Sequence, residues 1–289
     1  MKHRALGLAL LATAGAVRAA EAPPRVDAIT WLVSNTLAVP DGERTRRPAD
    51  ELTQWLQAHL PGVTLKPTAA NAERSWALIR QRQRVCHAGA ARTPERERLA
   101  VFTNTWLVPP PQLIVRQDRR DALPVDAQGA VDLAALLGGA SLRGIVTQGR
   151  SYGPALDALL GAAPASPQLQ HVFGGDYGSQ LLTMLTQGRA DYTIDYPNVL
   201  VASRSAVDGA LAALPIQGAG EAVVSGIACP RTPWGQAAIR LIDTALGTPE
   251  GAAMLRDTLR VSLPLDTQQV YRDAWDAFFK QRARPTPGL

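Results

Sequence analysis

From residue 142 onward the chain alternates short apolar runs with amphipathic stretches, and that alternation constrains its fold more than any other feature. Residues 142–147 read as a strand, 153–160 as a helix, 168–173 as a strand, 178–187 as a helix closed by Gly188, and 190–195 as a strand. Strands separated by helices of this length pair in parallel, which is the mark of an α/β fold. The first half follows the same grammar. A strand is expected over 28–33, then a helix over 49–60 that carries Leu52, Trp55, Leu56 and His59 on one face and stops at Pro61-Gly62. A strand over 63–67 and a helix over 70–84 follow, and 112–117 is a compact apolar strand. Residues 118–121 are polar and read as a crossover into a second unit with a helix at 131–137. The apolar run 223–229 suits a central strand, and helices over 234–246, 250–259 and 267–282 complete the chain.

The N-terminus reads as a secretory leader. Lys2 and Arg4 precede an apolar run over 5–17 and the small residues around Ala19, so cleavage is expected near Ala19. The run is shorter than the roughly 20 residues a spanning helix needs. With no cysteine at the cleavage point, a lipid anchor is not expected, and the product is expected free in the periplasm. Loss of Lys2, Arg4 and Arg18 takes the formal charge from +5 to +2, which gives no support to nucleic-acid binding.

Two motifs carry the chemistry. In Ala90-Ala91-Arg92-Thr93-Pro94-Glu95-Arg96, Thr93 can cap a helix whose first turn Pro94 suits, and Arg96 projects from that turn. A planar guanidinium there matches a carboxylate through two parallel hydrogen bonds. Far downstream, the strand 190–195 ends on Asp195, followed by Tyr196-Pro197-Asn198. A weaker segment, Gln148-Gly149-Arg150-Ser151-Tyr152, links a strand to a helix, where backbone N–H groups can face an anion.

The spacing of Thr93, Arg96, Phe102 and Thr103, with Asp195-Tyr196-Pro197-Asn198, resembles the family 3 extracellular solute-binding proteins, a two-lobed α/β fold of the type II periplasmic binding class. The resemblance implies a hinge and an interlobe cleft, with residues 23–116 and 220–289 forming one lobe and 117–219 the other. It implies that Arg96 and Thr93 grip a ligand carboxylate, that Asp195 accepts the ligand ammonium, and that Ser151 and Tyr152 supply the second lobe's contacts. Trp106 stands where the family places an aromatic, whereas Trp31, Trp55 and Trp76 are assigned to packing. The family topology brings Cys86 and Cys229 into one lobe, where a disulfide is expected. Without histidines at ligand spacing, the cysteines make a poor zinc site. Two departures bear on specificity: Ala91 replaces a hydroxyl residue, and residues 34–38 lack the aromatic common after the first strand.

The function implied is a monomeric periplasmic protein that closes over a small polar or zwitterionic solute, without cofactor or catalysis. Its partner is an ABC transporter permease or a sensor ectodomain. An enzyme on the same fold, of the cyclohexadienyl dehydratase kind, and an interaction module with a degenerate cleft are the alternatives. His59, His87 and His171 form no Ser-His-Asp pattern and no metal-ligand cluster in the sequence.

Overall fold

The computed structural model describes residues 24–33, 48–139, 141–162, 168–173, 179–203, 207 and 209–289. The expected leader and the segment 34–38 lie outside them. The described strands are β1 (Ala28–Val33), β2 (Thr64–Ala69), β3 (Val85–Ala91), β4 (Ala100–Val108), β5 (Gln112–Arg116), β6 (Gly144–Thr147), β7 (Leu169–Val172), β8 (Tyr192–Asp195), β9 (Leu211–Leu214) and β10 (Val223–Pro230). They form two five-stranded sheets, ordered β2-β1-β3-β10-β4 and β7-β6-β8-β5-β9.

In the first sheet β1 runs parallel to β2 and β3, while β10 runs antiparallel to β3 and β4. Helices α1 (Pro48–His59) and α2 (Ala72–Arg80) belong to this lobe, as do the C-terminal helices α8 (Pro233–Leu246), α9 (Pro249–Val261), α10 (Leu265–Val270) and α11 (Arg272–Arg282). Their apolar faces bury Leu52, Leu56, Ile239, Ile242 and Leu255 against Trp31 and Ile227. A disulfide joins Cys86 on β3 to Cys229 on β10, with Cα atoms 4.4 Å apart. A buried ion pair ties the C-terminus down as well. Arg282 lies 3.2 Å from Asp243, and the carboxylate also accepts from Thr103, from the Thr286 N–H and from the Thr286 hydroxyl. With four donors on the carboxylate, burial of this pair is compensated.

The division between lobes differs from the expected one. Strand β5, expected to end the first lobe, pairs with β8 and β9 in the second sheet. The chain therefore crosses before β5, at Pro109-Pro110-Pro111, where missing N–H donors end the pairing of β4. Residues 118–121, expected as the crossover, lie within a 3-10 turn over Gln117–Ala122 instead. The chain returns between β9 and β10. In the second sheet β6 runs parallel to β7 and β8, and β5, between β8 and β9, runs antiparallel to both. Around it lie α4 (Leu133–Gly138), α5 (Pro154–Ala162), α6 (Ser179–Thr186) and α7 (Pro197–Ala202).

Three local expectations also change. The helix expected to reach residue 84 ends at Arg80, and Arg82 turns the chain with φ 58°. The Thr93 helix, α3 (Pro94–Glu97), is a single turn that gives way to β4. The helix expected over 267–282 is broken at Tyr271 into α10 and α11.

Candidate functional site

A cavity of about 280 Å³ opens between the lobes. It is walled by the carboxyl-terminal parts of β1 and β3, by the loops after β6 and β8, and by Trp106 and Val108 of β4. Open parallel sheets place ligands at such strand ends.

Thr93 caps α3 by accepting the Arg96 N–H at 3.3 Å, as the sequence indicates. That contact leaves Thr93 buried and off the cavity wall, so its expected place beside a ligand is not realised. The one-turn helix brings little dipole, and attraction for an anion rests on the guanidinium itself. Arg96 lines the cavity, whereas Arg92 bonds Glu97 and Asn104 and Arg98 faces Glu95 in solvent. The Arg96 guanidinium carbon sits 4.6 Å from the centre of the Trp76 ring, a cation–π contact that orients it. Its Nη1 donates to the Ala91 carbonyl at 3.1 Å. Its Nη2 crosses the cleft to the Gly149 carbonyl at 3.2 Å. Gly149 permits this approach: its φ is +75°, and a Cβ there would come within 3.2 Å of the Glu73 backbone in the opposite lobe.

Asp195 corrects the sequence reading. It ends β8 as expected, yet it is fully buried and absent from the cavity wall. Its Oδ1 receives Arg150 Nη2 at 2.5 Å and the Tyr196 N–H at 2.7 Å. Strands β6 and β8 are parallel neighbours, so the loop after one delivers Arg150 to the end of the other. Arg150 itself lines the cavity and stands 5.4 Å from the Tyr196 ring. Arg96 and Asp195 thus sit on different lobes without both facing the space between them.

Ser151 lines the cavity, but its hydroxyl donates to Asp157 at 2.5 Å. Tyr152 is 1% exposed and lies in the second lobe's core, its hydroxyl accepting the Thr147 N–H. The Tyr152 N–H donates to Asp157 at 2.7 Å, so Ser151 and Tyr152 together fasten the start of α5. Tyr152 therefore serves packing, not the cleft. Trp106 does both: it belongs to the first lobe's core, donates to the Leu255 carbonyl at 2.9 Å, and shows part of its ring to the cavity.

Trp76 and His87 are among the wall residues that sequence reasoning missed. Trp76 lies on the buried side of α2 and faces both the second core of this lobe and the cavity. His87, on β3 beside the disulfide, is 3% exposed and meets Trp76 edge-on at 6.0 Å. Burial, reinforced by the Arg96 charge, pushes the imidazole down to about 3. An unfolded histidine titrates near 6.5, so its neutral burial adds stability fully above about pH 6.5 that is lost as pH falls toward 3. Between pH 6.5 and 5 the wild type should lose on the order of 2 kcal/mol more than His87→Gln. Urea unfolding at several pH values checks this; parallel slopes for the two proteins would refute it.

No family model matches the sequence. No curated protein matches it either. Solved structures do. The chain is similar to the amino-acid ABC transporter substrate-binding protein AbpA of Streptococcus pneumoniae bound to L-arginine, with 16% identity, TM-score 0.58, and 82% of this chain and 97% of that one covered. It is similar to a putative L-cystine ABC transporter protein of Listeria monocytogenes at 16% identity and TM-score 0.61, covering 84% and 98%. A histidine kinase sensor domain with similarity to periplasmic binding proteins aligns at 14% identity and TM-score 0.55, covering 88% and 96%. At such identities the likeness establishes the fold. The chain has the two-lobed α/β architecture of the type II periplasmic binding proteins.

Proposed function

We propose that this protein is a periplasmic solute-binding protein whose lobes close over a small carboxylate-bearing solute, with Arg96 as the carboxylate contact. The observation that carries the reading is the reach of Arg96 from the wall of one lobe to Gly149 on the other, across a cavity of about 280 Å³. A group that bridges the lobes in this way couples occupancy of the cleft to closure. Trp76 and Trp106 give the solute's apolar part a surface, and Ser151 and Tyr196 border the opposite side. The named structures of this fold serve transport in two cases and sensing in the third, which supports delivery to a transporter permease or to a sensor. The expected leader and the disulfide support an oxidising, extracytoplasmic setting. The role is capture and release without turnover.

Thermal unfolding against amino acids, polyamines and organic acids tests the reading. A ligand at about 100 times its Kd stabilises by about 2.7 kcal/mol, an upward Tm shift of roughly 5–10 °C for a chain of this size. A carboxylate-bearing compound should produce that shift and be recovered unchanged. Chemical conversion of the bound compound would replace the binding reading with the enzymatic one, and a panel without any shift would contradict it.

A further inference from the structure

We infer that the end of the first lobe away from the cleft is a docking surface for an anionic membrane. The inference stands apart from the solute-binding reading. Strands β1 and β3 run toward the cavity and end on its wall, and α2 turns its first residue, Ala72, to the same wall. The opposite end of these elements is rich in arginine. Arg25 precedes β1, Arg80 closes α2, Arg82 and Arg84 lead into β3, and Arg231 follows β10, which runs antiparallel to β3. All five are exposed, and among the described residues none of them takes part in an ion pair. Across the segments 24–27, 80–84 and 230–233 they stand against one acid, Asp27, a formal +4, whereas the whole product expected after loss of the leader carries +2.

The turn at the centre of this surface is built, not loose. The Arg82 N–H donates to the Ile79 carbonyl at 2.9 Å and the Gln83 N–H to the Leu78 carbonyl at 3.1 Å, which is the Schellman closure of a helix. That closure puts Arg82 at φ 58°, where glycine is the residue without a steric cost. An arginine held there adds a third guanidinium between Arg80 and Arg84. The composition identifies the partner. The centre of a protein–protein interface is poor in charge and rich in aromatic residues, whereas Arg80-Gln81-Arg82-Gln83-Arg84 is a run of five exposed polar side chains. Such a run fits lipid phosphates, which are mobile and meet each arginine singly, and the attraction acts within a Debye length of about 10 Å. Leu99 is 38% exposed at the same end, its carbonyl accepting the Arg231 N–H at 3.0 Å, and adds an apolar contact at headgroup depth. Docking by this end leaves the cavity uncovered.

Co-sedimentation of the purified protein with vesicles tests this, using phosphatidylcholine alone and phosphatidylcholine with about 30% phosphatidylglycerol. At low salt the wild type should bind the anionic vesicles at least tenfold more tightly than the neutral ones, and salt near 0.5 M should release it. The triple variant Arg80→Gln, Arg82→Gln, Arg84→Gln should lose at least tenfold. A charge-matched control, Arg240→Gln, Arg260→Gln, Arg272→Gln, removes exposed arginines from α8, α9 and α11 and should lose less than threefold. Arg82→Gly separates charge from folding: vesicle binding should fall at least threefold while the Tm stays level or rises. A wild type with no preference for the anionic vesicles overturns the inference, as does an equal loss in the two triple variants, which would reduce the effect to general basicity. Unchanged vesicle binding in Arg82→Gly overturns it as well. Retention on immobilised polyglutamate without affinity for the anionic vesicles would assign the surface to an acidic protein and overturn the membrane reading.

Discussion

Replacing Cys86 and Cys229 together with alanine should lower the melting temperature by roughly 10 °C. The two cysteines are 143 residues apart in sequence, so the bond removes a large closed loop from the unfolded chain's freedom. For loops of this order the expected stabilisation is about 4 kcal/mol, and each kcal/mol moves the Tm by about 2–4 °C in a protein of this size. Both sulfurs are fully buried, and β3 and β10 are neighbours in the middle of the first sheet. The consequence reaches the cleft, because His87 to Ala91, immediately after Cys86, form its wall. Reductant should lower the wild-type melting point by a similar amount and leave the double variant unmoved. A double variant that melts within 2 °C of wild type would show that the bond contributes little.

The α/β alternation was legible because apolar periodicity is a local property, and nearly every second-lobe element appears within a few residues of its expected place. Strands β3 and β4 were not legible. The first is Val-Cys-His-Ala-Gly-Ala-Ala, whose first four residues are buried in succession on both faces, so no alternation marks it. The second follows a charged run that continues the pattern of the capped Thr93 turn, and only the sheet reveals where the turn stops. The lobe boundary failed for a related reason. Leu113, Ile114 and Val115 are buried on both faces, which identifies a central strand but not the sheet that owns it.

In the site, Arg96 stood out because a cap, a proline and a charge at fixed offsets are local signals. The Arg150–Asp195 pair was hidden, since residues 45 apart meet through the pairing of β6 with β8. Asp195 read alone looks like a ligand group; with its neighbour known, it is a counter-ion. Trp76 and His87 were hidden by the same kind of ignorance. Which side of α2 and β3 faces the second lobe is decided by tertiary packing.

The second large effect expected is on binding. Arg96→Ala removes a charge-assisted, bidentate contact from a partly desolvated cleft, which costs about 2–5 kcal/mol of affinity, or roughly 30-fold to several thousand-fold. Arg96 is not part of either core, so the variant should fold. Arg98, two residues on, has a side chain 70% exposed and faces Glu95 at 3.8 Å. Its replacement by alanine should leave affinity within about fivefold, consistent with a surface ion pair worth at most about 1 kcal/mol. The most direct measurement is therefore calorimetric titration of one carboxylate taken from the thermal panel into wild type, Arg96→Ala and Arg98→Ala. Loss of at least 30-fold in affinity for Arg96→Ala alone is the expected result, whereas equal affinity in all three proteins would contradict a cleft built around Arg96.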